Sequence, residues 1–283
     1  MGLSEKLTEL RWRAAGHYTN PLPQAFREPL RGAHGLEIGG PSAVFGASGL
    51  LPVYPLLDRL DGVQWATHTV WHELDREQGY RPEGARTGEL YVFDGANLAG
   101  LADSTYDAVI CSHVFEHFAN PLRALASWRG VTHPSGYLLM VVPHMAGTFD
   151  HRRSLTTLRH MIDDFERGVG EDDLTHLEET LKLHDRGRDR EPGDDEAWAA
   201  KRRENLTTRV LHHHTFTTAS LLELLGYAGL ELRAVETRFP HDIYMLARWP
   251  AEGQRPDNTA FLGGHRRSPF GVDRLTGHAS SGA

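Results

Sequence analysis

The sequence has little cysteine and no long apolar run. Of 283 residues only Cys111 is a cysteine, which excludes an internal disulfide and any metal site built from several thiolates. No stretch approaches the roughly 20 apolar residues of a membrane span, and the opening MGLSEKLTEL is charged where a signal peptide is apolar. These absences predict a cytoplasmic protein without a membrane partner.

An excess of positive charge is also missing. The chain has 30 Lys and Arg against 38 Asp and Glu, a formal net charge of -8. Because cationic side chains that neutralise phosphates provide most of the affinity for nucleic acids, this balance predicts no nucleic-acid partner. Histidine is abundant instead, with 18 residues, and this excess requires an explanation.

Apolar segments separated by turn residues predict a sheet buried on both faces. A helix that begins after Asn120 precedes the fifth segment, and another begins after Thr217 or Thr218. Two final strands joined by only Phe239-Pro240-His241 predict an antiparallel pair. The predicted strands are 34–42, which ends in a glycine turn, then 63–67, 89–94, 106–112, 136–143, 230–238 and 242–249.

The remaining segments differ in character from the predicted sheet. Residues 3–15 have the spacing of a short amphipathic helix, within an N-terminal segment 1–30. The charge-rich stretch that follows strand five predicts a helical lid at 145–214, inserted into a domain that spans 31–250, with a flexible loop at 186–196. The polar tail 251–283 lacks periodicity, which predicts disorder.

This order of elements resembles the class I S-adenosylmethionine-dependent methyltransferases over roughly 30–145 and 215–249. The most specific part is YDAVICSHVFEHFANPLRALASWRGVTHPSGYLLMVVP, which is similar to the block from strand four to strand five in that family. The resemblance implies an α/β fold with a doubly wound, mostly parallel, seven-stranded Rossmann-like sheet. The segments EIGGPS, FDHRR and HxHTFT also resemble a narrower group of bacterial methyltransferase-like proteins.

The resemblance implies S-adenosyl-L-methionine as the cofactor and assigns residues to it. The turn after strand one would hold its amino-acid end, and Asp94 would accept a hydrogen bond from the adenine amino group. Strand two lacks the usual acid for the ribose, so Thr67 and Glu73 are candidates, although a capping threonine and a surface glutamate explain them equally well. The complete set is Glu37, Gly39, Gly40, Pro41, Thr67, Glu73, Asp94, Gly95, Ala96, Ser112 and His113.

Methyl transfer to a hydroxyl or an ammonium group requires a positioned acceptor and a base, and histidine suits the second role. His144 follows strand five and His214 ends the insertion, so both are expected above the cofactor as candidate bases. His184 or Asp185 would orient the base. Arg152 or Arg153 would hold an anionic group of the acceptor.

Two alternatives use the same residues differently. Several imidazoles with Asp150 or Asp185 could hold a divalent metal, but the sequence has no HExxH motif, and three successive histidines cannot all face one side of a strand. A non-catalytic protein could also retain the fold and the cofactor pocket. We favour a methyltransferase acting on O or N of a small polar metabolite, such as a sugar or a natural product. The sequence does not indicate the oligomeric state.

Overall fold

The computed structural model describes residue 10 and residues 22–189, 191, 193–261 and 268–276. Seven strands form one sheet in the order β3-β2-β1-β4-β5-β7-β6. The first five are parallel and β7 is antiparallel to both of its neighbours, which confirms the predicted fold class. The strands are β1 His34–Ile38, β2 Arg59–Gln64, β3 Leu90–Val92, β4 Tyr106–Ser112, β5 Thr132–Pro143, β6 Glu231–Arg238 and β7 Asp242–Arg248.

The sheet is buried on both faces, which explains why its central strands are continuously apolar. In β4, Val109 and Cys111 pack into one hydrophobic cluster, whereas Ala108 and Ile110 pack into the other. Successive side chains of a strand point to opposite faces, so both sets must be apolar. The first cluster lies against α1 (Pro121–Val131), and helix α6 (Thr218–Tyr227) adds leucines to it.

The two helices that the sequence predicts beside the sheet begin where their capping residues are. The Asn120 side chain accepts a hydrogen bond from the backbone N–H of Arg123 at the start of α1. At α6 the Thr217 side chain and Ser220 form a reciprocal capping box. Both arrangements satisfy backbone donors that a helix start leaves unpaired.

Strand β2 begins and ends earlier than the sequence indicates. It spans Arg59–Gln64 rather than 63–67. Its polar residues obscured the pattern, because the buried Asp61 accepts hydrogen bonds from Arg59 and from the Tyr106 hydroxyl. The connections on either side of β2 are short 3-10 turns, and α1 is the one α-helix that the described residues place between parallel strands.

The described residues of the insertion between β5 and α6 form four α-helices, α2 Leu158–Arg167, α3 Leu177–Leu183, α4 Asp195–Arg203 and α5 Asn205–Thr208. The Asn120 amide donates to the backbone oxygens of Asp164 and Val169, and so joins this lid to the start of α1. Within the segment predicted to be a flexible loop, Glu191 forms ion pairs with Lys201 and Arg202.

Part of the tail is ordered against the sheet, unlike the disorder that the sequence predicts after 251. A short helix α7 (Gly271–Thr276) follows the buried Phe270. The buried Asp273 carboxylate accepts hydrogen bonds from the Thr218 hydroxyl at 2.7 Å and from the backbone N–H of Ala219. Phe270 and Asp273 are among the residues that anchor this segment, and they form no periodic pattern that the sequence could show.

In the part of the chain that the structure describes, no helix has both the length and the apolar surface needed to cross a bilayer. The predicted N-terminal helix at 3–15 lies outside the described residues, apart from Leu10.

Candidate active site

A cavity of about 490 Å³ opens at the carboxyl edge of the sheet, where the strand order reverses between β1 and β4. Parallel α/β sheets bind ligands at such switch points, and the volume falls within the range of about 300–1,000 Å³ of cofactor pockets. The lining residues are Ile38, Gly39, Pro41, Ser42, Ala43, Val44, Val63, Gln64, Trp65, Trp71, His72, Asp94, Gly95, Ser112, His113, Val114, His117, Phe118, Val141, Glu171, Arg209 and Asp242.

The turn after β1 contributes Gly39 and Pro41 to this lining, whereas Gly40 faces the protein interior. Gly39 has a φ of +76°, and a Cβ there would lie 2.4 Å from the Val114 side chain. A Cβ on Gly40 would lie 2.2 Å from the Glu37 carboxyl and from the Tyr80 hydroxyl. The packing of the chain itself therefore requires both glycines, a role that the sequence analysis did not give them.

Glu37 lies behind the turn and does not line the cavity. Its carboxylate is fully buried and accepts hydrogen bonds from the hydroxyls of Tyr54 and Tyr80, each at 2.7 Å. Burial raises the pKa of Glu37 from its ordinary value of 4.5 to about 7, against the opposing effect of these hydrogen bonds. Glu37 therefore stabilises the turn from the protein interior and does not contact the cavity, unlike the cofactor contact that the sequence predicts.

This raised pKa predicts how stability depends on pH. Between pH 4.5 and 7 the folded chain holds a proton on Glu37 that the unfolded chain has lost, so Glu37 makes the protein less stable as pH rises. The free energy of unfolding of the wild type should therefore decrease between pH 5 and 8. We expect Glu37→Gln to reduce this decrease by up to roughly 3 kcal/mol, measured by urea unfolding across that pH range. The exposed Glu83→Gln is the control, and equal slopes for both variants would contradict the prediction.

The segment after β2 differs from the predicted ribose site. Because β2 ends at Gln64, the lining residues there are Gln64, Trp65, Trp71 and His72. Thr67 and Glu73 belong instead to a small hairpin, in which a bridge pairs His68 with Glu73, and neither lines the cavity. The indole Nε1 of Trp65 is buried and has no hydrogen-bond partner among the described residues.

The end of β3 places Asp94 and Gly95 on the cavity wall. Asp94 Oδ1 accepts a hydrogen bond from the backbone N–H of Ala96, which is itself buried and does not line the cavity. Asp94 Oδ2 lies 3.9 Å from the Arg209 guanidinium. One carboxylate oxygen therefore closes the local turn and the other is directed toward a cation of the lid.

The lid supplies a wall that the sequence analysis missed, formed by Glu171 and Arg209. Their side chains pair at 2.7 Å, and Glu171 also accepts a hydrogen bond from the backbone N–H of Ala119. Burial raises the pKa of Glu171 to about 7, although the Arg209 charge opposes the change. Glu171 and Arg209 are far apart in sequence and come together only when the lid folds, so no local motif predicts this pair.

Ser112 and His113 line the cavity at the end of β4, and Asp242 faces His113. His113 Nε2 lies 3.0 Å from Asp242 Oδ1. Burial lowers the pKa of His113, but the hydrogen bond and the charge of Asp242 outweigh burial and raise it above its ordinary value. Asp242 reaches this edge because β7 is antiparallel, so its first residue lies opposite Pro143 at the carboxyl end of β5.

Three imidazoles surround the buried Glu116 just beneath the cavity. Nitrogens of His113, His117 and His212 lie 3.8–3.9 Å from its Oε1. Neither carboxylate oxygen has a hydrogen-bond partner within the described ranges, and burial raises the pKa of Glu116. His212 is held from its other side by Asp150, with 2.6 Å between Nδ1 and Oδ2.

The structure places the predicted catalytic residues away from the cavity. His144 is fully buried, stacks on Phe270 and lies 3.2 Å from Asp273, so it anchors the tail and cannot reach a substrate in the cavity. His184 stacks on Phe149 and pairs with Asp189 inside the lid.

The other lid residues also serve the lid itself. Asp185 is paired with His151 at 2.8 Å and with the exposed Arg152 at 3.2 Å. Arg153 is buried and donates to Asp150 and to the backbone oxygen of His212. None of these residues belongs to the cavity lining, so the predicted meeting of His144 and His214 above the cofactor does not occur.

His214 belongs to a separate cluster of the lid. It lies with His160, Asp164 and His176, and the ligand atoms of the four side chains are all within 4.8 Å of one another. Burial lowers the pKa of His214 well below its ordinary value and also lowers that of His176, so both rings are neutral at neutral pH.

A methyltransferase domain family matches residues 66–140. No curated protein sequence matches the chain. An S-adenosylmethionine-dependent methyltransferase structure from Methanosarcina mazei is similar at 15% identity and a TM-score of 0.48, covering 82% of this chain and all of that one. A structure from Aquifex aeolicus with the same description has 13% identity and a TM-score of 0.41, covering 84% and 97%.

The family match spans the segment from the end of β2 to β5, and it includes Asp94, Ser112 and His113 on the cavity wall. Residues 66–140 therefore match a methyltransferase domain family, and the strands among them belong to a Rossmann-like sheet.

Proposed function

We propose that the protein transfers a methyl group to an oxygen or a nitrogen of a small polar metabolite, such as a sugar or a natural product. The observation that carries this proposal is the hydrogen-bonded pair of His113 and Asp242 on the wall of the switch-point cavity. Transfer to oxygen or nitrogen releases a proton from the acceptor, and a histidine held by a carboxylate can take it.

The cavity fits the expected cofactor in its polarity. Apolar side chains of Ile38, Val63 and Phe118 suit an adenine ring, and the buried Trp65 Nε1 is a donor without a partner in the described part of the chain. Bound S-adenosylmethionine supplies an electrophilic methyl group on a positively charged sulfur. The carboxylates of Asp94 and Asp242 favour a cation in this cavity.

We assign the cofactor-holding role to Gly39, Pro41, Asp94 and Gly95, with Ser112 at the end of β4. His113 is the proposed base, and Asp242 fixes its orientation through the 3.0 Å contact. Glu171 and Arg209 close the cavity from the lid side and exclude water from it. This assignment replaces His144 and His214, which the fold keeps out of the cavity.

The assignment of Asp94 is tested by isothermal titration of the full chain with S-adenosylmethionine and with its demethylated product. We expect Asp94→Ala to weaken binding by about 10-fold to 100-fold, because one hydrogen bond to a charged group contributes about 1.5–3 kcal/mol. Asp103→Ala, at an exposed position outside the cavity, is the control. Unchanged affinity of the Asp94 variant would contradict the adenine contact.

The acceptor class is tested separately, by release of the demethylated product with a panel of hydroxylated and aminated metabolites. Turnover with such an acceptor supports the proposal. A wild-type chain that binds neither form of the cofactor would overturn it, and binding without turnover on any polar acceptor would favour a non-catalytic protein.

A further inference from the structure

The lid contains a compact cluster of four potential metal ligands outside the proposed active site. His160 Nε2 lies 3.1 Å from His176 Nε2 and 3.2 Å from Asp164 Oδ2, and His214 Nε2 lies 3.9 Å from the same carboxylate oxygen. All four ligand atoms lie within 4.8 Å of one another. In tetrahedral zinc sites, metal–ligand bonds of about 2.0–2.1 Å separate neighbouring ligand atoms by about 3.3 Å. The separations of 3.1 and 3.2 Å are close to that spacing, and the remaining ligand atoms lie within 4.8 Å of one another.

One ligand oxygen of the cluster is buried without a hydrogen bond. Asp164 is 4% exposed, and its Oδ2 has no hydrogen-bond partner among the residues that the structure describes. Its other oxygen, Oδ1, accepts a hydrogen bond from Arg167 at 2.6 Å. Because a buried carboxylate oxygen without a hydrogen bond is costly, the position of Asp164 Oδ2 beside the imidazoles of the cluster indicates a cation site.

We propose that His160, Asp164, His176 and His214 bind one Zn²⁺ ion as a closed structural site. Three imidazoles and one carboxylate are a ligand set that zinc accepts in tetrahedral geometry, and four protein ligands leave no position for a substrate. His160 is 37% exposed, which gives the ion a path of entry.

The ligands come from three segments, so the ion would join them. His160 and Asp164 lie one turn apart on the same face of α2, and His176 immediately precedes α3. His214 lies in the segment that returns to the sheet, where the backbone N–H of His213 donates to the backbone oxygen of Glu116. Zinc binding would therefore fasten both ends of the lid to each other.

The cluster is close to the cavity wall but separate from it. None of its residues lines the cavity. His214 Nε2 lies 3.3 Å from the backbone oxygen of Ala119, a hydrogen bond that zinc ligation through this nitrogen would replace. The N–H of Ala119 donates to Glu171, which does line the cavity. The proposed role is thus positional, and metal content measured without cofactor or acceptor tests it independently of the proposed methyl transfer.

The experiment is metal analysis by inductively coupled plasma mass spectrometry of the full chain, loaded with zinc and dialysed. We expect about one zinc per wild-type chain. His160→Ala and Asp164→Asn should each weaken zinc binding at least about 100-fold, measured by competition with a zinc-binding dye. His151→Ala, a partly exposed lid histidine outside the cluster, should keep the wild-type content.

His160 is partly exposed, so His160→Ala is expected to fold even if a variant of the buried His214 does not. Far-UV circular dichroism verifies the fold of each variant. Cobalt loading of the wild type should give the visible absorption of a tetrahedral site, which is lost in the His160 variant. Substoichiometric zinc in the wild type, or equal zinc content in the cluster variants and the control, overturns the proposal.

Discussion

Replacing His113 with asparagine is expected to lower kcat by about 10²-fold to 10⁴-fold while leaving the affinity for S-adenosylmethionine within about threefold. His113 has a φ of +53°, a conformation that asparagine tolerates better than most residues, so the turn after β4 should keep its shape. The loss would then report the missing proton acceptor. Turnover by single-turnover kinetics and affinity by titration separate the two quantities.

The pH profile of turnover gives the base a second readout. His113 must be neutral to accept a proton, and its pKa is raised above 6.5, so wild-type turnover should fall as pH decreases through that raised value. Asp242→Asn keeps a hydrogen-bonding group but removes the charge, and it should move this acidic limb to lower pH. An unchanged kcat in His113→Asn would contradict the role of His113 as the base. An acidic limb that stays at the same pH in Asp242→Asn would contradict the role of Asp242.

Gly40→Ala is expected to destabilise the fold by about 3 kcal/mol or more, although it adds a single methyl group. The new Cβ would lie 2.2 Å from both the Glu37 carboxyl and the Tyr80 hydroxyl, which are hydrogen-bonded to each other and buried. Both side chains are buried, so moving either one would disturb the hydrogen bond between them. Thermal and urea unfolding measure the loss.

Gly130→Ala is the matched control for this substitution. Gly130 lies in the last turn of α1, and a Cβ there would meet no heavy atom within 4 Å. Alanine has a higher helix propensity than glycine, so this variant should equal or exceed the wild type in stability. A Gly40→Ala protein as stable as Gly130→Ala would show that the packing around Glu37 adapts, contrary to our expectation.

The sheet could be predicted from sequence where its strands are continuously apolar. Strand β4 appears at the predicted residues, and α1 begins directly after the capping Asn120, because burial on both faces and capping leave local patterns. Strand β2 lies earlier than predicted because its buried Asp61 interrupts the apolar pattern. The partners that explain this burial include His34, the backbone N–H of Glu89 and Tyr106, which are distant in sequence.

The lining of the cavity could also be predicted only in part. Asp94, Gly95, Ser112 and His113 line it as expected, since the ends of parallel strands share one edge of the sheet. The lid histidines could not be placed from sequence, because their positions depend on how helices fold back over that edge. Asp242 had an available signal, namely a carboxylate at the first residue of an antiparallel strand, which must lie at the carboxyl edge of its parallel neighbours.

The segment that ends in α7 changes where the folded unit stops. His144 contacts both Phe270 and Asp273, and Thr218 at the start of α6 bonds to the same carboxylate. A recombinant fragment that ends after β7 would retain all seven strands but would lack Phe270 and Asp273. The His144 ring would lose the ring it stacks on, and His144 and Thr218 would lose the carboxylate that they contact. Truncation design for this protein should therefore retain the chain through residue 276 as part of its smallest stable piece.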